Sequence, residues 1–121
     1  MMALGPWATG VFGRDDDLVE EIRQAGERSA ERMWPLPLLP EHLGEMKSRV
    51  ADLKNIGGQH AGASTAAAFL GEFTGSTPWV HLDIAGSGMT AKSTPYHRGG
   101  ATGVGVRALL EWIKARSDRR A

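Results

Sequence analysis

The sequence predicts an α/β fold, and three observations carry the prediction. Short apolar runs bounded by glycine or proline alternate with segments whose apolar residues recur at helical spacing, as strands and helices do when they follow one another. The 121 residues are 41% hydrophobic, enough to bury roughly two-thirds of the unfolded surface around one core. Glycine fills 16 positions, about twice the usual share, which marks many tight turns and close backbone approaches.

Met1 to Gly13 carries no charge, and its pieces MMALG and ATGVFG, each bounded by glycine, read as buried strand segments. Asp15, Asp16 and Asp17 open the first helix. Asp17 and Glu20 have the spacing of a capping box, and carboxylates suit the positive end of the helix dipole. Leu18, Ile22, Ala25, Ser29 and Met33 continue this helix, with Glu21, Arg23, Glu27, Arg28 and Glu31 facing outward, until Pro35 stops it. WPLPLLP is an extended connector. Pro40 or Glu41 starts a second helix through Leu43, Met46 and Val50, and ADLKNIGG (Ala51 to Gly58) is loop or short strand.

A third helix over AGASTAAAFLGEF, from Ala61, sets small side chains on one side against Phe69, Leu70 and Phe73 on the other, so another backbone can approach closely. WVHLDIAG, Trp79 to Gly86, alternates Val80, Leu82 and Ile84 with His81 and Asp83 and reads as an interior strand. The last helix carries Val106, Leu109, Leu110 and Ile113 as its apolar face. It ends in Lys114, Arg116, Arg119 and Arg120, cations at the negative end of the dipole.

Fourteen basic and fourteen acidic side chains cancel, so no global field draws the chain to nucleic acid or anionic lipid. No run approaches the roughly 20 apolar residues of a membrane span. Met1 to Gly13 lacks the basic region of a secretory leader, the first basic residue being Arg14. The absence of cysteine removes disulfides, thiolate nucleophiles and Cys-type zinc sites, and fits a reducing compartment.

The three aspartates are read as a helix cap, not as metal ligands. GSGMTA, with Gly86, Gly88 and Ala91, has the form of a dinucleotide fingerprint, but Pro95, Gly99 and Gly100 follow where a helix N-terminus is needed. Ala91-Lys92-Ser93 lacks the glycine that precedes the lysine of a Walker A loop. GGATGVG, Gly99 to Gly105, does open into a helix, either to offer N–H groups to an anion or to seat the helix close to a strand. His42, His60, His81 and His97 show no zinc-binding spacing and are read as structural or surface residues. The residues alone form no catalytic constellation.

Four blocks add to this reading: Asp52 to Gly58 (DLKNIGG), Gly62 to Phe73 (GASTAAAFLGEF), Trp79 to Gly86 (WVHLDIAG) and Gly100 to Arg107 (GATGVGVR). In order and spacing they resemble the C-terminal part of the leucyl aminopeptidase (cytosol aminopeptidase) family, over essentially the whole chain, and MMALG followed by ATGVFG fits too. The resemblance implies that residues 1–121 form a single partial domain, the C-terminal segment of a three-layer α/β/α catalytic domain. It implies a cytoplasmic metallopeptidase that removes N-terminal residues, typically leucine, from peptide substrates with two divalent ions (Zn or Mn) and a bound water, and that assembles as a homohexamer.

The family's metal ligands and catalytic lysine and arginine lie in motifs absent from this sequence, including an Asn-Thr-Asp-Ala-Glu-Gly-Arg segment, and Asp83 and Lys92 match none of them. No catalytic residue and no metal ligand is therefore assigned, and none of the ions is expected on this chain alone. What carries over is substrate binding. Ile56 matches a position on the leaving side of the substrate, and Ala85 one that lines the side-chain pocket. Met89 corresponds to a pocket methionine, one residue off the commonest spacing. Core packing is the competing reading for all three. The competing function is a non-catalytic oligomerisation or interaction module derived from the same fold.

Overall fold

The computed structural model describes residues 3–119. Its centre is β1 (Thr9–Gly13), flanked by β2 (Met33–Pro35), which runs parallel to it, and β3 (Val80–Asp83), which runs antiparallel, in the order β2-β1-β3. TGVFG suits this place, because Thr9, Val11 and Phe12 are all fully buried. The pleat sends Val11 and Phe12 to opposite faces.

On the Val11 face, α1 (Asp16–Arg28) and α4 (Val106–Asp118) pack on the sheet and on each other. Val11, Ile22, Met33 and Ala108 close a cluster there, with Val19, Val80, Leu82 and Trp112 partly buried around it. From the other side α3 (Gly62–Gly71) packs on β1 and β3, with Ser64, Thr65, Ala67, Ala68 and Gly71 buried. This is the three-layer α/β/α arrangement. The small residues of α3 do what the sequence suggests, since a Cβ on Gly71 would meet Trp79 Cζ2 at 2.6 Å. Arg14 caps the contact by donating to the carbonyl of Gly71 and to Thr74 Oγ1, its guanidinium 5.7 Å from the Trp79 ring.

Several expectations are corrected. The described part of MMALG, from Ala3, lies in turns and not in a strand, with Gly5 at φ +60; Met1 and Met2 lie outside the described residues. The capping residue of α1 is Asp15, whose Oδ1 accepts the Leu18 N–H at 3.0 Å. Glu20 is engaged elsewhere: hydrogen bonds from Arg23 and Gln24 hold its carboxyl down to about 2, so it does not complete a capping box.

α1 also stops one turn earlier than the apolar spacing suggests. Ala30 enters the left-handed region (φ 57), the Glu31 N–H reaches the Gly26 carbonyl at 2.8 Å and the Ala30 N–H reaches Glu27 at 3.3 Å, which is a Schellman stop. Met33 is thereby freed to become a strand residue, and part of the expected connector becomes β2. The helix expected from Pro40 to Val50 is the single turn α2 (Pro40–Gly44). Ser48 Oγ then accepts the N–H groups of Val50 and Ala51 and turns the chain away, which leaves Val50 exposed while Met46 is buried. Ala51 to Gly58 is loop.

β3 is an edge strand of this sheet and not an interior one, since it pairs only with β1 among the described residues. α4 buries Ala108 and leans Trp112 on the core, while Val106, Leu109, Leu110 and Ile113, its expected apolar face, are exposed. A methyl-sized side chain at 108 is what lets the helix sit tight on the cluster. Arg116 and Arg119 pair with Glu21 of α1 at 3.3 and 3.1 Å, so the basic end also ties the two helices together. Arg120 lies outside the described residues.

Candidate functional site

Ala85 sits on the turn that follows β3 and Met89 opens the short strand after it, and this turn is tied down by several hydrogen bonds. Asp83 Oδ1 accepts the Ala85 N–H at 2.9 Å, and the Gly88 N–H donates to the Ile84 carbonyl at 2.7 Å. A Cβ on Gly88 would meet that carbonyl oxygen at 2.9 Å, so glycine is what allows the turn to close. Ser87 joins the turn to the central strand through a 2.7 Å hydroxyl contact with Thr9, and Thr102 Oγ1 donates to the Ser87 carbonyl, also at 2.7 Å. The hairpin of β4 (Met89–Thr90) and β5 (Gly100–Ala101) completes the hold, pairing Met89 with Ala101.

Ile56 lies on the 51–58 loop, anchored by the Lys54 N–H to the Met46 carbonyl at 2.8 Å. Gly57 brings this loop against α3, where a Cβ would meet Thr65 Oγ1 at 3.0 Å. All three residues are exposed, Ile56 to 75% and Met89 to 65%. Ile56 and Ala85 sit on loops and Met89 in the short β4–β5 hairpin, outside the packed centre of the fold, and none of them lines the cavity of about 740 Å³ between Ala30 and the start of α4. Apolar side chains at such positions offer a surface to something else.

The glycine loop before α4 resolves its two alternatives with a residue the sequence placed outside. Glu31, expected to face solvent, is only 5% exposed. Its Oε2 accepts the N–H groups of Gly105 and Ala108, both at 3.0 Å, and Arg107 Nε donates to Oε1 at 3.2 Å. The anion at this helix N-terminus is therefore the chain's own carboxylate. No helix follows GSGMTA, where the β4–β5 hairpin stands instead.

Among the histidines, His42 Nδ1 accepts the Leu39 N–H at 3.0 Å, and His97 takes part through its backbone in a turn with Thr94. His81 is half-buried, its ring 5.9 Å from Phe12. Burial pushes its pKa below the ordinary 6.5, against the opposing pull of the Asp83 charge. The unfolded chain then binds the proton more readily than the folded one. Stability from neutral His81 is full above pH 6.5 and is lost as pH falls through the lowered folded value. His81→Gln is expected to flatten this loss, read as Tm across about pH 5 to 7.5; an unchanged slope would remove His81 as its source.

Among the described residues no three His, Asp or Glu side chains gather as a metal site would require, so this part of the chain does not fit a two-metal centre. No helix of the described residues is long and apolar enough to cross a membrane.

The described residues form a three-layer α/β/α fold that leaves Ile56, Ala85 and Met89 exposed to solvent. The cytosol aminopeptidase catalytic-domain model matches residues 1–110, and the chain belongs to that family. It is 54% identical to the probable cytosol aminopeptidase of Geobacter sulfurreducens over 115 residues, 95% of this chain and 23% of that protein. With the Roseiflexus castenholzii relative it shares 50% identity over 114 residues, covering 93% and 23% of the two chains. Among solved structures, a mutant of tomato leucine aminopeptidase matches with a TM-score of 0.85 at 40% identity, over 93% of this chain and 22% of that one. The chain thus spans about a quarter of the length of the curated relatives it matches.

Proposed function

We propose that this chain supplies the C-terminal segment of a two-metal leucyl aminopeptidase that releases N-terminal amino acids from peptides, and that its share of the work is one wall of the substrate pocket. The observation that carries the reading is the placement of Ala85 on a turn held by Thr9, Ser87 and Thr102, with Met89 on the short strand after it and Ile56 on a second held loop, all three facing solvent. A pocket wall has to keep its shape while presenting apolar atoms. The divalent ions, zinc or manganese, belong in this proposal to residues outside the described segment, whose own carboxylates and imidazoles do not converge. A cytoplasmic location and assembly as a homohexamer complete the proposal, carried by the family alone.

Purified alone, the chain is expected to show no leucine p-nitroanilide hydrolysis with added zinc, manganese or cobalt. Turnover that follows the chain through purification and is lost to a chelator would overturn this. A second reading, a module that serves assembly without catalysis, draws on the exposed apolar residues of α4.

The pocket wall has its own test, with the chain's sequence grafted into the Geobacter sulfurreducens relative over the matched 115 residues. Ala85→Leu there is expected to cost about 1 to 3 kcal/mol in kcat/KM for leucine substrates and less for alanine substrates, because added methylenes exclude in proportion to substrate size. An unchanged leucine-to-alanine ratio at equal folded enzyme would take Ala85 out of the site.

A further inference from the structure

The ladder between β1 and β3 runs from Gly13 and Val80 to Gly10 and Asp83 and goes no further. Past it the chain turns through residues 84–88, and the bonds inside that turn, from the Gly88 N–H to Ile84 and from the Ala85 N–H to Asp83, fix its shape but not its place against the sheet. Its place is set through Ser87. The Ser87 hydroxyl reaches back to Thr9 Oγ1 at 2.7 Å, one residue beyond the end of the ladder, while Thr102 donates to the carbonyls of Ser87 and Gly88. The two anchors are unequal. Thr102 is half-buried on a loop, whereas Thr9 is fully buried and paired with Met33 of β2, and its β-branched side chain has little rotamer freedom. A buried hydroxyl left without a partner is costly, and Ser87 Oγ is the partner of Thr9 Oγ1. The bond therefore ties the turn to the most deeply buried strand of the fold.

We infer that Thr9 and Ser87 are positioning residues for Ala85, and that their bond sets how strongly a leucine-sized N-terminal side chain is preferred over a small one. The inference rests on the proposed function, in which Ala85 walls the side-chain pocket. Neither hydroxyl touches the substrate. They act through the two residues of backbone between Ser87 and Ala85. A pocket wall discriminates only while its atoms stay in contact with the side chain it recognises, and a displacement of about 1 Å already forfeits much of that attraction. Leucine reaches the wall with its outer carbons, and alanine, with one methyl group, falls short of it. Loosening the Thr9–Ser87 bond therefore weakens the larger substrate selectively. A packing role alone would instead lower the amount of folded enzyme and reduce both activities alike.

The test uses the Geobacter sulfurreducens relative carrying this chain's sequence over the matched 115 residues, and compares Ser87→Ala, Thr9→Val, the double variant and Ser87→Thr at equal folded enzyme. Ser87→Ala and Thr9→Val are each expected to lower the leucine-to-alanine ratio of kcat/KM about fivefold, mainly by raising KM for leucine p-nitroanilide. Because both remove the same bond, the double variant should fall no further than either single one. Ser87→Thr keeps the hydroxyl and should hold the ratio within about twofold of the unmodified graft. In this chain itself, amide exchange at residues 85–88 should quicken about tenfold with Ser87→Ala, while that of residues 10–13 changes little. An active graft whose ratio stays put in both single variants, or falls in the double as the product of the two, would overturn the inference and leave the proposed function standing. Unaltered exchange at residues 85–88 would overturn it as well. An unmodified graft that hydrolyses neither leucine nor alanine p-nitroanilide would count against the proposed function, and the specificity role would fall with it.

Discussion

Glu31→Ala is expected to loosen the start of α4 and to cost about 2 to 4 kcal/mol of stability. The side chain is buried at the turn between α1 and β2, yet it serves a helix more than seventy positions further along the chain. Two N–H groups of the first turn of α4, Gly105 and Ala108, share its Oε2, and without it they have no acceptor. A lost cap costs about 1 kcal/mol, and each buried donor left unsatisfied about 1 to 3. Arg107 adds little, because its side chain is 60% exposed and solvent screens the pair. Glu31→Gln keeps one acceptor oxygen and should lose roughly half as much. Urea unfolding followed by tryptophan fluorescence reads the total, and amide exchange at residues 105–109 should accelerate more than exchange within α1. A loss below about 1 kcal/mol for the alanine variant would show that the loop, not the carboxylate, positions the helix.

The layer order was legible in the sequence where a local signal and the tertiary structure agree. TGVFG is apolar and glycine-bounded, and it is the central strand; the small residues of GASTAAAFLG face the sheet as their size suggests. The sequence misled where a long-range contact chose between two locally acceptable answers. Met33 lies at helical spacing from Ser29, and only the left-handed turn at Ala30 sends it into a strand. Glu31 looks like one more outward charge on a polar face, and nothing nearby in the sequence announces that Gly105 will need it. The one available signal was a glycine-rich helix start with no capping side chain of its own, which has to find an acceptor elsewhere.

In α4 the periodic residues Val106, Leu109, Leu110 and Ile113 trace an apolar face as well as any core helix does, but the face that is buried is the one through Ala108. Periodicity reports that a surface is to be covered and not which neighbour covers it. The same holds for Ile56, Ala85 and Met89, which resemblance singled out and periodicity could not. Ser87, Thr102 and Thr9 escaped notice because a hydroxyl network between positions 9, 87 and 102 leaves no local pattern.

Phe12→Ala, at the largest fully buried side chain among the described residues, is expected to cost about 3 to 5 kcal/mol. The ring is fully buried in the central strand, on the face opposite Val11, and its neighbour across the sheet is His81. Removing it forfeits the transfer energy of an aromatic side chain and leaves a cavity that a central strand, fixed by ladders on both sides, cannot close. The loss should carry a signature that mere weakening would not. Water admitted beside His81 relieves the burial that lowers its pKa, so its titration should move up towards 6.5. Phe12→Leu, at an expected cost nearer 1 kcal/mol, keeps the fold intact for an NMR titration of the His81 ring. If the titration stays where it is in the unmodified chain, burial by Phe12 is not what holds the histidine neutral, and the covering of β3 from the α3 side takes its place as the cause.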